Sequence, residues 1–121
     1  MIVGIGTDLV ENRRLERWLG QPRLLAKYFS EQELSDVASS AHPAASLAAR
    51  FAAKEAFGKA LGTGLAGLPL QSIEVRRAES GRPDLHLTGE ALAALKSRSA
   101  RVHLSLSHEA HYALAFVVLE A

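Results

Sequence analysis

The chain contains no cysteine, which excludes disulfides, thiolate metal sites and cysteine nucleophiles. It also lacks a charge excess. Fourteen Lys and Arg against thirteen Asp and Glu give a formal net charge of +1 and a pI near 8.2. That balance argues neither for nor against a polyanionic partner, so any basic surface that matters is local. Long apolar runs are missing too: the longest, Tyr112 to Leu119, falls far short of the roughly 20 residues that span a membrane. The N-terminal MIVGIGTDLV has no basic lead-in and carries Asp8 within it, unlike a signal peptide. The five histidines show neither H-E-x-x-H nor cysteine–histidine spacing, so they are not a zinc set. There is no repeat, linker or low-complexity segment. The expectation is a cytoplasmic protein, and the missing cysteines agree with a reducing compartment.

What is present is ordinary globular composition, 48% hydrophobic and 22% charged over 121 residues, expected to form one domain over 1–121. Its unusual chemistry is concentrated in RFAAKEAFGKALGTG, Arg50 to Gly64. At about 100° per residue, Ala49, Ala53, Ala56, Phe57 and Ala60 share one side of a helix. That small-residue stripe suits close approach to another backbone element. Leu47, Phe51, Ala52 and Leu61 make much of the rest apolar, so the helix is expected to be largely buried. Arg50, Lys54, Glu55 and Lys59 are nevertheless set into it. Burying ionised groups is costly unless they are paired or meet something charged.

Taken in order, Ile2 to Ile5 reads as a buried strand that delivers Asp8 at its end. Position alone leaves Asp8 evenly divided between ligand and helix N-cap. A helix is expected from Leu9 to Leu19, with Leu15, Trp18 and Leu19 toward the core. Arg13, Arg14 and Arg17 lie on roughly the opposite side, as a solvated face or as a docking stripe for an acidic partner. Leu24 to Phe29 is a short helical turn. Ser30 with Glu33 makes a capping box, and Phe29 with Leu34 a hydrophobic staple, opening a helix that fades by Ser39-Ser40. The long helix starts near Pro43 and ends at Gly62, which suits the left-handed C-terminal position. GTGLAG, residues 62–67, matches G-x-G-x-x-G formally, but it follows a helix and meets Leu68-Pro69, so the dinucleotide reading fails. Gln71 to Arg77 and Leu85 to Leu87 form a hairpin around Glu79-Ser80-Gly81-Arg82-Pro83. Thr88 caps a helix from Gly89 to about Ser97. Arg101 to Ser107 alternates as a strand, and the apolar Tyr112 to Glu120 is a central one.

Three sets of side chains can do chemistry: Asp8; Glu55 with Lys59; and Ser105 to His108. Asp8 and Glu55 are the best metal pair, hard oxygen donors from separate elements that suit magnesium. The rival account of Glu55 is an i, i+4 ion pair with Lys59. His108 ends a strand at a turn, where side chains point into clefts. His86 and His111 have no assigned role, and no G-x-S-x-G elbow supports Ser105 or Ser107 as a nucleophile. The residues themselves suggest a magnesium-dependent phosphate site with a basic stripe nearby, without naming a substrate.

GIGTDLVENRR, RFAAKEAFGKALGTG and SLSHE together resemble the short bacterial 4'-phosphopantetheinyl transferases, the holo-acyl-carrier-protein synthases. The likeness covers essentially the whole chain in the same order. It implies an α+β, 4'-phosphopantetheinyl transferase-like fold, with an antiparallel sheet packed around a long central helix. It implies transfer of 4'-phosphopantetheine from coenzyme A to a serine of apo acyl carrier protein, releasing 3',5'-ADP, by a homotrimer with sites between subunits. Carried over by motif, Asp8 and Glu55 would hold magnesium against the pyrophosphate. Lys59 would stabilise phosphate charge and His108 would contact the coenzyme. Arg50 and the Gly62-Thr63-Gly64 loop would help hold the nucleotide, and Arg82-Pro83 would approach the adenosine. Arg14, with Arg13 and Arg17, would dock the acidic carrier. The proton acceptor implied first is Glu55 or Asp8 acting through a metal-bound water, and second His108. One departure stands out. Some family members have several basic residues in the loop before the long helix, suited to the coenzyme's 3'-phosphate. Here that loop is Ala38-Ser39-Ser40-Ala41-His42. The competing readings are a magnesium nucleotide phosphodiesterase, which would release 3',5'-ADP without a carrier, and a binding module for coenzyme A or carrier protein, which would tolerate Asp8→Asn.

Overall fold

The computed structural model describes residues 1–121. Its organising element is the helix α4, Pro43–Leu61, which opens on a proline in the first turn and closes at Gly62 with φ of 81°. A proline costs nothing where the N–H would be orphaned, and glycine takes the left-handed C-cap without a Cβ clash. Three strands cover α4 as an antiparallel sheet in the order β1 (Ile2–Glu11), β5 (Tyr112–Glu120), β4 (Arg101–His108). The apolar β5 is therefore central, as its composition predicts. Four smaller helices, α1 (Asn12–Glu16), α2 (Pro22–Tyr28), α3 (Glu31–Ala38) and α5 (Gly89–Lys96), and a hairpin of β2 (Ile73–Arg77) with β3 (Pro83–Leu87) complete the α+β fold.

The small-residue stripe of α4 meets β1. A Cβ on Gly6 would lie 2.0 Å from the Ala56 carbonyl oxygen, and one on Gly4 would lie 2.1 Å from that of Ala60. Strand and helix thus touch backbone to backbone, which needs glycine on one side and alanine on the other. Gly58 plays the same part for the loop after the helix. Gly64 donates its N–H to the Gly58 carbonyl at 3.0 Å, and a Cβ on Gly58 would lie 2.7 Å from the Gly64 carbonyl carbon.

The capping box at Ser30 is complete: Ser30 Oγ accepts from the Glu33 N–H, and a Glu33 carboxylate oxygen accepts from the Ser30 N–H, each at 3.1 Å. The same Glu33 oxygen accepts from Lys54 Nζ at 2.7 Å, and its other oxygen accepts from the Val75 N–H. Lys54 also donates to the Leu70 and Ile73 carbonyls. One buried carboxylate and one buried ammonium thereby tie α3, α4 and the start of the hairpin together.

Two expected boundaries are corrected. The first strand does not stop at Ile5 with Asp8 beyond its end. It pairs with β5 through Glu11, opposite Tyr112, so Asp8 lies inside β1. The helix expected from Leu9 to Leu19 begins only at Asn12 and ends at Glu16. Leu9, Val10 and Glu11 are strand because β5 offers them backbone partners, and tertiary pairing overrides local helix propensity. Leu15 is fully buried and Trp18 packs against Phe51, but Leu19 is 38% exposed and lies outside the core. The inner face of the sheet, carrying Val10, Ala113, Ala115, Val117 and Leu119, is buried on α4. The outer face leaves Ile5, Leu9, Tyr112, Leu114 and Phe116 exposed.

Candidate functional site

Asp8 occupies the β1 position two residues beyond Gly6, on the same face of the strand. Since Gly6 seats the strand against Ala56, Asp8 is delivered to the flank of α4 just where Glu55 and Lys59 emerge. Lys59 Nζ donates to Asp8 Oδ1 at 3.1 Å and to the Thr7 carbonyl at 2.9 Å. The i, i+4 ion pair between Glu55 and Lys59 does not form. The lysine bridges instead to the strand, leaving Glu55 without a salt-bridge partner among the ion pairs of the structure.

Glu55 is half-buried, and its pKa is raised above the ordinary carboxylate value. Burial is the largest cause and the negative charge of Asp8 the next, with Lys59 and Arg14 pulling the other way. Two carboxylates that repel each other across a helix–strand seam form a natural seat for a divalent cation. The donor set fits magnesium. It offers hard oxygens only, and magnesium takes few carboxylates and fills its shell with water and phosphate.

The other sequence-predicted residues fall elsewhere. A cleft of about 1650 Å³ runs along the N-terminal half of α4, with Arg50 and His108 among its lining residues. His108 ends β4, as its turn position predicts, and pairs with Ala113, which lies opposite Val10, two residues along β5 from the partner of Asp8. Arg50 is buried. It donates to Ser46 Oγ and the Ser46 carbonyl and lies 3.5 Å from Asp36. Burial lowers its pKa, Glu33 and Asp36 oppose that shift, and Arg77 reinforces it. The chain therefore holds two groups of polar side chains, one on each half of α4.

Gly62, Thr63 and Gly64 form the turn just past Lys59, whose carbonyl accepts from the Gly62 N–H at 3.0 Å. Arg82 and Pro83 sit at the tip of the hairpin, with Arg82 exposed and 3.5 Å from Asp84. Arg13, Arg14 and Arg17 are exposed on and just after α1. Arg14 differs from its neighbours by lying over the Phe51 ring, 5.4 Å from its centre.

Sequence reasoning missed the Lys54–Glu33 pair, because a capping-box glutamate gives no sign of a second partner 21 residues away. It also missed the seating role of Gly4 and Gly6. Their spacing, two glycines on one face of a strand, carried the signal once matched to an alanine stripe.

This α+β fold sets Asp8 of β1 beside Glu55 and Lys59 on one half of α4 and the buried Arg50 on the other, two polar sites along one helix. The particular family follows from comparison. A model of the 4'-phosphopantetheinyl transferase superfamily matches residues 4–117, and the chain belongs to that family. It is 55% identical to a holo-[acyl-carrier-protein] synthase of Treponema denticola, over 99% of each chain. Among solved structures, the holo-[acyl-carrier-protein] synthase of Neisseria meningitidis matches with a TM-score of 0.89 and 39% identity, covering 100% of both chains. That of Bacillus anthracis in complex with coenzyme A (3',5'-ADP) matches with a TM-score of 0.82 and 37% identity, covering 100% of this chain and 98% of the other.

Proposed function

We propose that the protein transfers 4'-phosphopantetheine from coenzyme A to a serine of apo acyl carrier protein, releasing 3',5'-ADP, in fatty acid biosynthesis. The observation that carries this reading is the seating of Asp8 against Glu55 and Lys59 in a chain of the family along nearly its full length. Asp8 and Glu55 would hold magnesium, which when bound would supply positive charge to polarise the coenzyme pyrophosphate. Lys59, fixed by Asp8 and the Thr7 carbonyl, keeps a donor for the phosphate oxygens and stabilises the charge that passes to the departing 3',5'-ADP. The carrier serine attacks the β-phosphorus. Its hydroxyl proton passes through a water to Glu55 or Asp8, with His108 the second acceptor. The backbone amides after Gly62, together with Arg82 and Pro83 at the hairpin tip, border the nucleotide. Arg13, Arg14 and Arg17 dock the acidic carrier.

The active form is a homotrimer in the cytoplasm, with each chain acting as one domain. The exposed apolar outer face of β1 and β5 supports burial against further copies. A coenzyme lying between subunits meets the carboxylates of one copy and the arginine-lined cleft, with His108, of the next. No helix is long and apolar enough to cross a membrane.

The test is intact-mass spectrometry of apo acyl carrier protein after incubation with the protein, coenzyme A and magnesium. Gain of the phosphopantetheine mass is expected. No gain with folded protein ends the reading, and release of 3',5'-ADP without a carrier turns it toward a phosphodiesterase.

A further inference from the structure

Two buried side-chain atoms have no hydrogen-bond partner, Arg50 Nε and Asn12 Oδ1. The first belongs to the arginine lining the cleft along α4. The second is unexpected, because an asparagine at a helix start ordinarily serves as its cap. Asn12 is the first residue of α1, one position inside the N-cap Glu11, and no side chain caps that helix. Its amide is turned elsewhere. Nδ2 donates to the Ala110 carbonyl at 3.3 Å, across 98 residues of chain. The amide holds this orientation although its oxygen goes unpaired, and an unpaired buried acceptor costs stability.

The backbone of Asn12 takes hold of the same segment. Its N–H donates to the His111 carbonyl at 2.8 Å, one step beyond the last pair of β1 with β5, Glu11 and Tyr112. One residue thus grips both Ala110 and His111 in the three-residue turn that joins β4 to β5. From within, the turn is closed by the Glu109 N–H on the Tyr112 carbonyl and by the Glu109 carboxylate, which accepts the His111 N–H. His108, Glu109, Ala110 and His111 are all exposed. Packing therefore does little to fix this turn, and an exposed segment with few buried contacts is as rigid as its hydrogen bonds make it. His108 is the strand residue from which the turn departs, and Asn12, His108, Glu109 and Ala110 all border the cleft.

We propose that Asn12 is a positioning residue for the transfer reaction: by anchoring the β4–β5 turn from outside, it fixes where His108 stands in the cleft. The inference rests on the transferase reading above, in which His108 meets the coenzyme, and deepens it. Removing the Asn12 amide frees the Ala110 carbonyl but leaves the backbone bond to His111 in place. The turn then persists and ranges more widely, and His108 ranges with it. The pairing of β1 with β5 does not depend on that amide, so the fold is retained.

The experiment measures kcat, KM for coenzyme A and KM for apo acyl carrier protein in the wild type, Asn12→Ala, Asn12→Asp, His108→Ala and the two double variants. Asn12→Ala deletes the donor, whereas Asn12→Asp keeps the shape and sets an acceptor against the Ala110 carbonyl. Asn12→Ala is expected to raise KM for coenzyme A by about three- to tenfold, the worth of one neutral hydrogen bond. Asn12→Asp should raise it further, and neither should change KM for the carrier. In the His108→Ala background each substitution should add less than about twofold, because residues that act through one contact are not additive. An undiminished effect in that background would overturn the proposal, since Asn12 would then act without His108, through the new charge or through α1. A rise confined to KM for the carrier would overturn it as well and assign Asn12 to the arginines of α1. Calorimetric binding of coenzyme A without carrier repeats the cycle without turnover. If wild type fails to transfer while Asn12 and His108 remain coupled in that binding, the transferase reading falls and the positioning role stands. If Asn12→Ala and Asn12→Asp, shown by melting to be folded, bind coenzyme A as wild type does, the positioning role falls.

Discussion

Lys54 Nζ lies 2.7 Å from Glu33 Oε1, and neither side chain has any solvent exposure. The pair is satisfied on every side: Ser30, Val75, Leu70 and Ile73 supply backbone partners, and the ammonium lies 5.3 Å from the centre of the Phe29 ring. Burial lowers the Lys54 pKa, and Glu33 opposes that shift. Removing either partner strands the other in a dry interior.

Lys54→Met is therefore expected to destabilise the fold by about 3–5 kcal/mol, the range for one half of a buried ion pair. Lys54→Met with Glu33→Leu should recover part of that, since no lone charge remains. Urea denaturation of the single and double variants checks it. An additive double variant would mean that the two groups are not coupled.

The long helix was the most legible part of the chain. Pro43 and Gly62 bound it by rules that act within a turn, and Ser30 with Glu33 opens α3 for the same local reason. Asp8, Glu55 and Lys59 were recognisable as a set, and the structure brings them together. What the sequence hid depends on distant partners. Leu9 to Glu11 could be helix or strand until β5 was placed beside them. The rival i, i+4 pairing of Glu55 with Lys59 could not be decided locally, because it competes with a strand 51 residues away. Arg50 was visible as a buried charge, but its unpartnered Nε depends on the exact geometry of Ser46 and Asp36.

Gly6→Ala places a Cβ 2.0 Å from the Ala56 carbonyl oxygen, a backbone atom that cannot rotate away. The strand has to lift from α4, at a cost of about 3 kcal/mol, the upper end of ordinary overpacking. Asp8 then moves relative to Glu55, so transfer should fall further than stability alone explains. Thermal melting and the mass-spectrometric assay on the folded fraction separate the two losses. Unchanged activity per folded molecule would disconnect Gly6 from the site.

Glu55→Gln should lower transfer by at least about a hundredfold, the scale on which losing one preorganised charge acts, while the fold gains stability. The sign follows from the raised pKa: the folded state binds the Glu55 proton more tightly than the unfolded chain. Ionisation therefore weakens the fold, beginning as pH rises through the unfolded pKa and reaching its full extent above the folded one. Glutamine never ionises. The variant's advantage in melting temperature should be absent in acid and open toward neutral pH. An advantage that is constant across pH would remove carboxylate repulsion as its cause.

Phe116→Glu tests the assembly. Phe116 lies on the outer face of β5, 44% exposed and paired across the strand with Thr7, beside exposed Ile5 and Leu9. Phe116, Thr7 and Ile5, with Gly6 and Lys59, border a small hollow beside the Lys59–Asp8 pair, so whatever covers the face also closes over the site. Wild type is expected to give a light-scattering mass three times the chain's 13.0 kDa. A glutamate buried at each of the subunit contacts places like charges in an apolar seam, where neither is solvated or paired. The variant should run at the mass of one chain and melt at a temperature lowered by loss of the partner contacts. Its transfer activity should be lost even though Asp8, Glu55 and Lys59 are untouched, because the proposed trimer takes the arginine-lined cleft that completes each site from another copy. A monomeric variant that still transfers at the wild-type rate would place the whole site within one chain.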